Sequence, residues 1–162
     1  MFGGFEGFFK ISHSQPKHKQ KGEKMKLKLG LAALLGATVL FARDIIVPAS
    51  ELPRNAQDFI SKNFKTAQIA LVKKDIDSYD VTLNDGTEID FIITGEWKDV
   101  DGKYKALPNS ILPNIMPKIS ASSNAQIIEV SREINGYKFE LSNQLKIYTD
   151  AQGNILGQKF DY

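Results

Sequence analysis

Two periodicities organise the chain from Ser50 onward. Leu52, Ala56, Phe59 and Ile60 fall on one face of a 3.6-residue helix, with Pro53 tolerated in its first turn and Ser50 placed as N-cap. Leu107, Ile111, Leu112, Ile115 and Ile119 repeat that spacing. There, however, Pro113 and Pro117 each remove a backbone donor and crowd the preceding turn, so the second helix is expected to kink or split near Pro113. Behind each helix the period drops to two. Strands are predicted over 68–74, 79–83, 88–94 and 96–100, and again over 125–133, 137–141, 144–148 and 154–159. Asn84-Asp85-Gly86 and Asn135-Gly136 punctuate them as hairpin turns, because Asn and Gly accept positive φ.

The two sets are copies of one pattern. Leu52-Pro53 recurs as Leu107-Pro108, and each set has a tyrosine with a leucine four residues on and a glycine sixteen on: Tyr79, Leu83, Gly95, then Tyr137, Leu141, Gly153. The expected fold class is α+β, with two tandem α-β-β-β-β repeats (43–104 and 105–162) forming an antiparallel sheet with helices on one face. The string from Tyr79 to Trp97, with the Leu-Pro helix ahead of it, resembles the PepSY-like, β-lactamase-inhibitor-protein-like family. The second copy resembles it more loosely, with no Asp-Gly in its hairpin and Ile155 where the first has Trp97. The resemblance spans 51–160 and implies a sheet whose helix-free face is open and often concave. In the inhibitor proteins of the family that face grips another protein. The family is mostly exported, and its motifs speak to fold more than to activity.

The N-terminal residues follow neither period. Residues 25–42 place Lys26 and Lys28 ahead of an apolar run that ends at Phe41-Ala42. The run falls short of the roughly 20 residues of a bilayer span and has the layout of a secretory signal peptide cleaved near Ala42, although Leu40 is large for its position. The competing reading is a buried core helix. Residues 1–24, an aromatic and basic stretch, are either a disordered leader or lie ahead of a true start at Met25. Lys21-Gly22-Glu23-Lys24 can be encoded with a purine-rich ribosome-binding string; codons that avoid it would exclude the second possibility.

Setting residues 1–42 aside reverses the charge. The whole chain carries 21 Lys plus Arg and 19 Asp plus Glu, a net +2. The first 42 residues hold seven of the lysines, two glutamates and both histidines, leaving 14 basic and 17 acidic residues, net −3, with no His and no Cys. A basic nucleic-acid footprint, histidine general bases, Ser-His-Asp triads, thiolate chemistry and His or Cys metal sites are thereby excluded from the exported part.

Chemistry must then come from the open face. With Tyr79, Val81, Leu83, Ile89, Phe91 and Ile93 toward the helices, the alternates Asp80, Thr82, Glu88, Asp90, Ile92 and Thr94 point away, as do Lys138, Glu140, Lys146 and Tyr148 in the second copy. Such a face is either a solvated sheet surface or a binding surface, acidic in its first half, for a partner with a basic patch. Trp97, Tyr104 and Tyr148 are the aromatic candidates for binding, with core packing preferred for Trp97. Asp99-Val100-Asp101-Gly102 looks like part of a calcium loop but lacks the remaining ligands, and a polar turn is the simpler reading. Glu88, Asp90 and Glu140 could act as a glycosidase-like acid–base pair if two of them meet in a pocket. Ser120 to Asn124 reads as a loop. The expected function is an exported, non-enzymatic protein-binding or inhibitor-like module, with no cofactor and no nucleic acid, and another envelope or secreted protein as partner. The alternatives are a periplasmic small-ligand-binding or carboxylate-dependent hydrolytic protein, and an envelope component that self-assembles.

Overall fold

A computed structural model describes residues 44–162; the expectations for the leader and the signal peptide lie outside that range. The chain forms β1 (Ile45–Ile46), α1 (Arg54–Asn63), β2 (Ile69–Lys74), β3 (Ser78–Leu83), β4 (Glu88–Ile92) and β5 (Trp97–Asp101), then α2 (Met116–Ser123), β6 (Ile127–Glu133), β7 (Gly136–Leu141), β8 (Leu145–Asp150) and β9 (Ile155–Phe160). All nine strands make one antiparallel sheet in sequence order. The fold is α+β with an open sheet.

Both proline-bearing segments begin with a 3-10 turn, Ala49–Glu51 and Asn109–Ile111, before the α-helix proper. Ser50 is therefore not the N-cap of α1; it sits inside the 3-10 turn, and Pro53 holds the cap position without a side-chain bond. The second segment splits as the prolines demand, and Pro117 falls in the first turn of α2, where a missing N–H costs nothing. Ser120 to Ser123 are helical rather than loop. Ser122 and Ser123 donate back to the Ile119 carbonyl, and Asn124 ends the helix in the left-handed region at φ 51°.

The core lies between the helices and one sheet face. Val72, Val81, Ile89, Val100, Val130, Phe139 and Ile147 form a continuous row in register across β2 to β8, and Ala56, Ile60, Met116 and Ile119 of the helices belong to the same buried cluster. Ile93 departs from expectation: β4 stops at Ile92 and Ile93 turns outward, because Gly95 takes φ +89° and the turn starts early. Gly95 and Gly153 are both necessary there. A Cβ on Gly95 would strike Pro53 and Asn55 at the start of α1, and one on Gly153 would strike Ile115 at the start of α2. Hairpin bonds also recur: the amides of Asn84 and Ser142 donate to the carbonyls of Gln68 and Gln126, whose own amides are taken by the Asn84 and Ser142 side chains. Asn135-Gly136 forms its hairpin without left-handed φ. Gly136 is required instead because a Cβ would collide with the Thr149 carbonyl on β8.

Trp97 is 7% exposed. Its indole stacks between Phe59 of α1 (5.9 Å) and Tyr137 of β7 (6.2 Å), with the Arg132 guanidinium 4.3 Å from the ring centre. Trp97 is packed in the core, as its preferred reading had it, and does not serve as a binding aromatic. Ile155, two residues after Gly153, instead starts the edge strand β9, where there is no neighbour beyond it for a wide ring to fill.

Candidate functional site

Strand alternation and register together arrange the helix-free face in rows. One row runs Lys73, Asp80, Asp90, Asp99, Ser131, Lys138, Tyr148 from β2 to β8. The next runs Thr82, Glu88, Asp101, Glu129, Glu140, Lys146, Lys159 from β3 to β9. Of the candidates, Asp80, Asp90, Lys138 and Tyr148 thus share one row, and Glu88, Glu140 and Lys146 share its neighbour. Ile92 is exposed at the end of β4. Tyr104 leaves the face altogether: it is 89% exposed at φ 72° in the connection after β5.

The rows also contain residues the sequence reading did not select. Asp99 and Asp101 are part of β5 and not of a polar turn, which begins only at Gly102. Asp99 falls within the strand expected over 96–100, but its face could not be read from alternation, because a register shift at Lys98 puts Trp97 on the helix side and Asp99 on the open side. Ser131 carried no signal in the sequence; it matters because its hydroxyl donates to the Asp99 carboxylate.

Charge is unevenly compensated. In the second row Lys103 bridges Glu88 at 2.8 Å and Asp101 at 2.6 Å, and Lys146 lies 3.5 Å from Glu140 and 2.6 Å from Asp161. Lys138 bridges Glu129 at 2.9 Å. Burial would lower the Lys138 pKa, but the Glu129 carboxylate outweighs it and holds the ammonium charged. Asp80, Asp90 and Asp99 sit side by side on three adjacent strands, and none is in an ion pair among the described residues. Burial, then the charges of Asp80 and Asp99, push the Asp90 carboxyl up to about 6. Asp80 is raised by burial and by Asp44, against Lys73, and Asp99 by burial against its bond from Ser131.

Asp80, Glu88 and Asp90 line a polar recess of about 290 Å³ with Lys73, Val81 and Thr82. Glu140 is three strands from Glu88 and Asp90, on the order of 14 Å at the usual strand spacing. That exceeds the carboxyl separation of a glycosidase pair, roughly 5–9.5 Å, so Glu140 does not complete such a pair. Among the described residues no cluster of three carboxylates is spaced to hold a metal ion, Asp99 and Asp101 included.

A comparison with curated proteins finds no match. Three solved structures share the fold over most of their length. A protein described as a "putative calcium-regulated periplasmic protein" from Bacteroides thetaiotaomicron is 27% identical (TM-score 0.67), covering 72% of this chain and 96% of its own. A protein described as a "putative periplasmic protein of unknown function" from Bacteroides vulgatus is 30% identical (TM-score 0.66; 72% and 99% covered). A DUF2874-family protein from the same species, described as a "putative periplasmic protein", is also 30% identical (TM-score 0.67; 74% and 98%). The family profile described as "Putative beta-lactamase-inhibitor-like, PepSY-like" matches residues 77–157, from the turn before β3 into β9. By that match, and by the relatives that share its sheet, the chain belongs to the PepSY-like, beta-lactamase-inhibitor-like family.

Proposed function

We propose that the chain is an exported, non-enzymatic module that binds a basic surface of another envelope or secreted protein through its helix-free sheet face. The observation that carries this reading is the Asp80–Asp90–Asp99 row. Burial raises all three carboxyls and the charges of Asp80 and Asp99 raise Asp90 further, so keeping the row ionised at neutral pH costs stability that a merely solvated sheet has no need to give up. A cationic partner would relieve that repulsion on binding, while Tyr148 at the far end of the row supplies a rigid contact. Export rests on the 25–42 segment and on the periplasmic description of the relatives. The recurring Leu-Pro segment, paired hairpin bonds and glycine–helix contacts support descent of the two halves from one repeated unit, broadening a single face.

The test is affinity capture from envelope extract with residues 43–162 and with a variant carrying Asp90→Asn and Tyr148→Ala. Partners retained by the parent should be lost by the variant and released by salt, since exposed charge contacts weaken with ionic strength. An unchanged partner set removes the proposal. A second reading, a small cationic ligand in the recess beside Asp90, is favoured by that carboxyl's elevated pKa. It predicts that Asp90→Asn abolishes ligand binding while Tyr148→Ala leaves it intact.

A further inference from the structure

The exposed large aliphatic side chains are not scattered. In a nine-strand meander the β2–β3, β4–β5, β6–β7 and β8–β9 turns all lie at one end of the sheet, and the β3–β4 and β7–β8 turns at the other. Three of the first four tips display an isoleucine to solvent, and beside the fourth the exposed aliphatic is Leu156, among the turn-proximal residues of β9. Ile76 is 79% exposed in the β2–β3 turn, Ile93 opens the β4–β5 turn, Ile134 is 99% exposed in the β6–β7 turn, and Leu156 follows the β8–β9 turn. Ile45 and Ile46 of β1 pair with Lys74 and Lys73, which places them at the same end. The opposite end is an internal control. Its tips read Asn84-Asp85-Gly86 and Ser142-Asn143-Gln144, and its exposed large hydrophobics are the aromatics Tyr104, Phe160 and Tyr162.

Turn chemistry does not ask for isoleucine. Hairpin tips favour Gly, Asn, Asp and Ser, and β-branched side chains favour strands. Alternate tips lie two strands apart, on the order of 10 Å, a spacing that one partner surface can span. A row of this kind marks an interaction surface more surely than single exposed apolar residues do.

The charges beside the row select its occupant. Asp75 and Asp77 flank Ile76, Glu133 precedes Ile134, Asp44 precedes Ile45 and Glu96 follows Ile93 in its turn. None of these five carboxylates is in an ion pair among the described residues. Two cations at this end are turned onto rings, Lys74 over Tyr79 and Arg132 over Trp97. A lipid surface with anionic headgroups would be repelled by the carboxylates, and a second copy would present the same sign. We propose that this hairpin end is a second docking surface, separate from the helix-free face, for a polypeptide whose apolar side chains alternate with basic ones.

The probe is a soluble ten-residue peptide of alternating Leu and Lys, titrated against residues 43–162, with a Leu-Glu peptide as control. Binding is expected to the first and not the second. Ile76→Asn with Ile134→Asn should weaken it at least tenfold while leaving the urea midpoint unchanged, because both side chains are free of the core. Asp75→Asn with Asp77→Asn should also weaken it and flatten its salt dependence, whereas Asp90→Asn, which tests the other face, should leave it alone. The proposal is overturned by equal binding of the double isoleucine variant, by preference for the Leu-Glu peptide, or by no peptide binding at all. It is equally overturned by isoleucine-dependent binding to phosphatidylglycerol vesicles, or by an isoleucine-dependent dimer in sedimentation, in place of peptide binding.

Discussion

Replacing Asp90 with Asn should stabilise the protein at neutral pH, against the usual expectation for a half-buried polar residue. The carboxyl is raised from 3.8 to about 6 in the folded chain, by burial first and by Asp80 and Asp99 next. A folded pKa above the unfolded value means that the native state holds the proton more tightly. Stability is then greatest below the unfolded value and falls as pH rises from about 4 to about 6. At about 1.4 kcal/mol per pKa unit the full penalty approaches ~3 kcal/mol. Asp90 is only half removed from solvent, and screening reduces the expectation to about 1 kcal/mol at pH 7. Asn keeps the shape and removes the charge. Urea unfolding followed by Trp97 fluorescence between pH 4 and pH 8 should show the variant more stable than the parent at pH 7, with the difference vanishing near pH 4. Using the difference between the two proteins cancels groups shifted the other way, such as Asp150, held low by its bonds from Asn154. A variant that is less stable at pH 7, or whose pH slope matches the parent's, would refute the account of the carboxylate row.

Gly95→Ala should cost about 2–4 kcal/mol in urea unfolding, because left-handed φ strain adds to collision with Pro53 and Asn55. Gly86→Ala, at the same φ of +89° but with nothing within 4 Å, should cost only about 1–2 kcal/mol; equal losses would show that the helix contact is immaterial. Gln144 adopts φ 67° in the β7–β8 turn where the β3–β4 turn has Gly86, so Gln144→Gly should raise stability by about 0.5–1 kcal/mol in thermal unfolding. Arg132→Ala should lose about 0.5–1 kcal/mol through its contact with Trp97, whereas Trp97→Ala should lose about 3–5 kcal/mol and strip the stacks that join α1 to β7; chemical unfolding of both variants separates the two.

The open rows were legible where alternation was clean. Asp80, Glu88, Asp90, Lys138, Glu140 and Lys146 all face as their period-two strands require. Asp99 was missed because the register shift at Lys98 breaks the alternation that begins at Trp97, and pairing of β5 with both β4 and β6 carries the strand on to Asp101. Trp97 and Tyr104 shared a residue class as aromatic candidates, yet one is sealed between Phe59 and Tyr137 and the other stands in solvent. No local pattern distinguishes those fates, since each depends on which distant element arrives above the ring.

Local chemistry in the sequence determined the two helical segments, the strands, the prolines that split the second segment, and the faces of residues in the strands that alternate cleanly. It also showed that the chain after residue 42 is acidic and has neither His nor Cys. Register belongs to the tertiary structure. Only cross-strand pairing sets Asp80, Asp90 and Asp99 abreast, gathers the exposed isoleucines at one end, and keeps Glu140 away from Glu88. The physical reason is that alternation fixes which face a side chain takes, whereas its neighbours along that face depend on backbone hydrogen bonds between strands that the one-dimensional pattern does not encode.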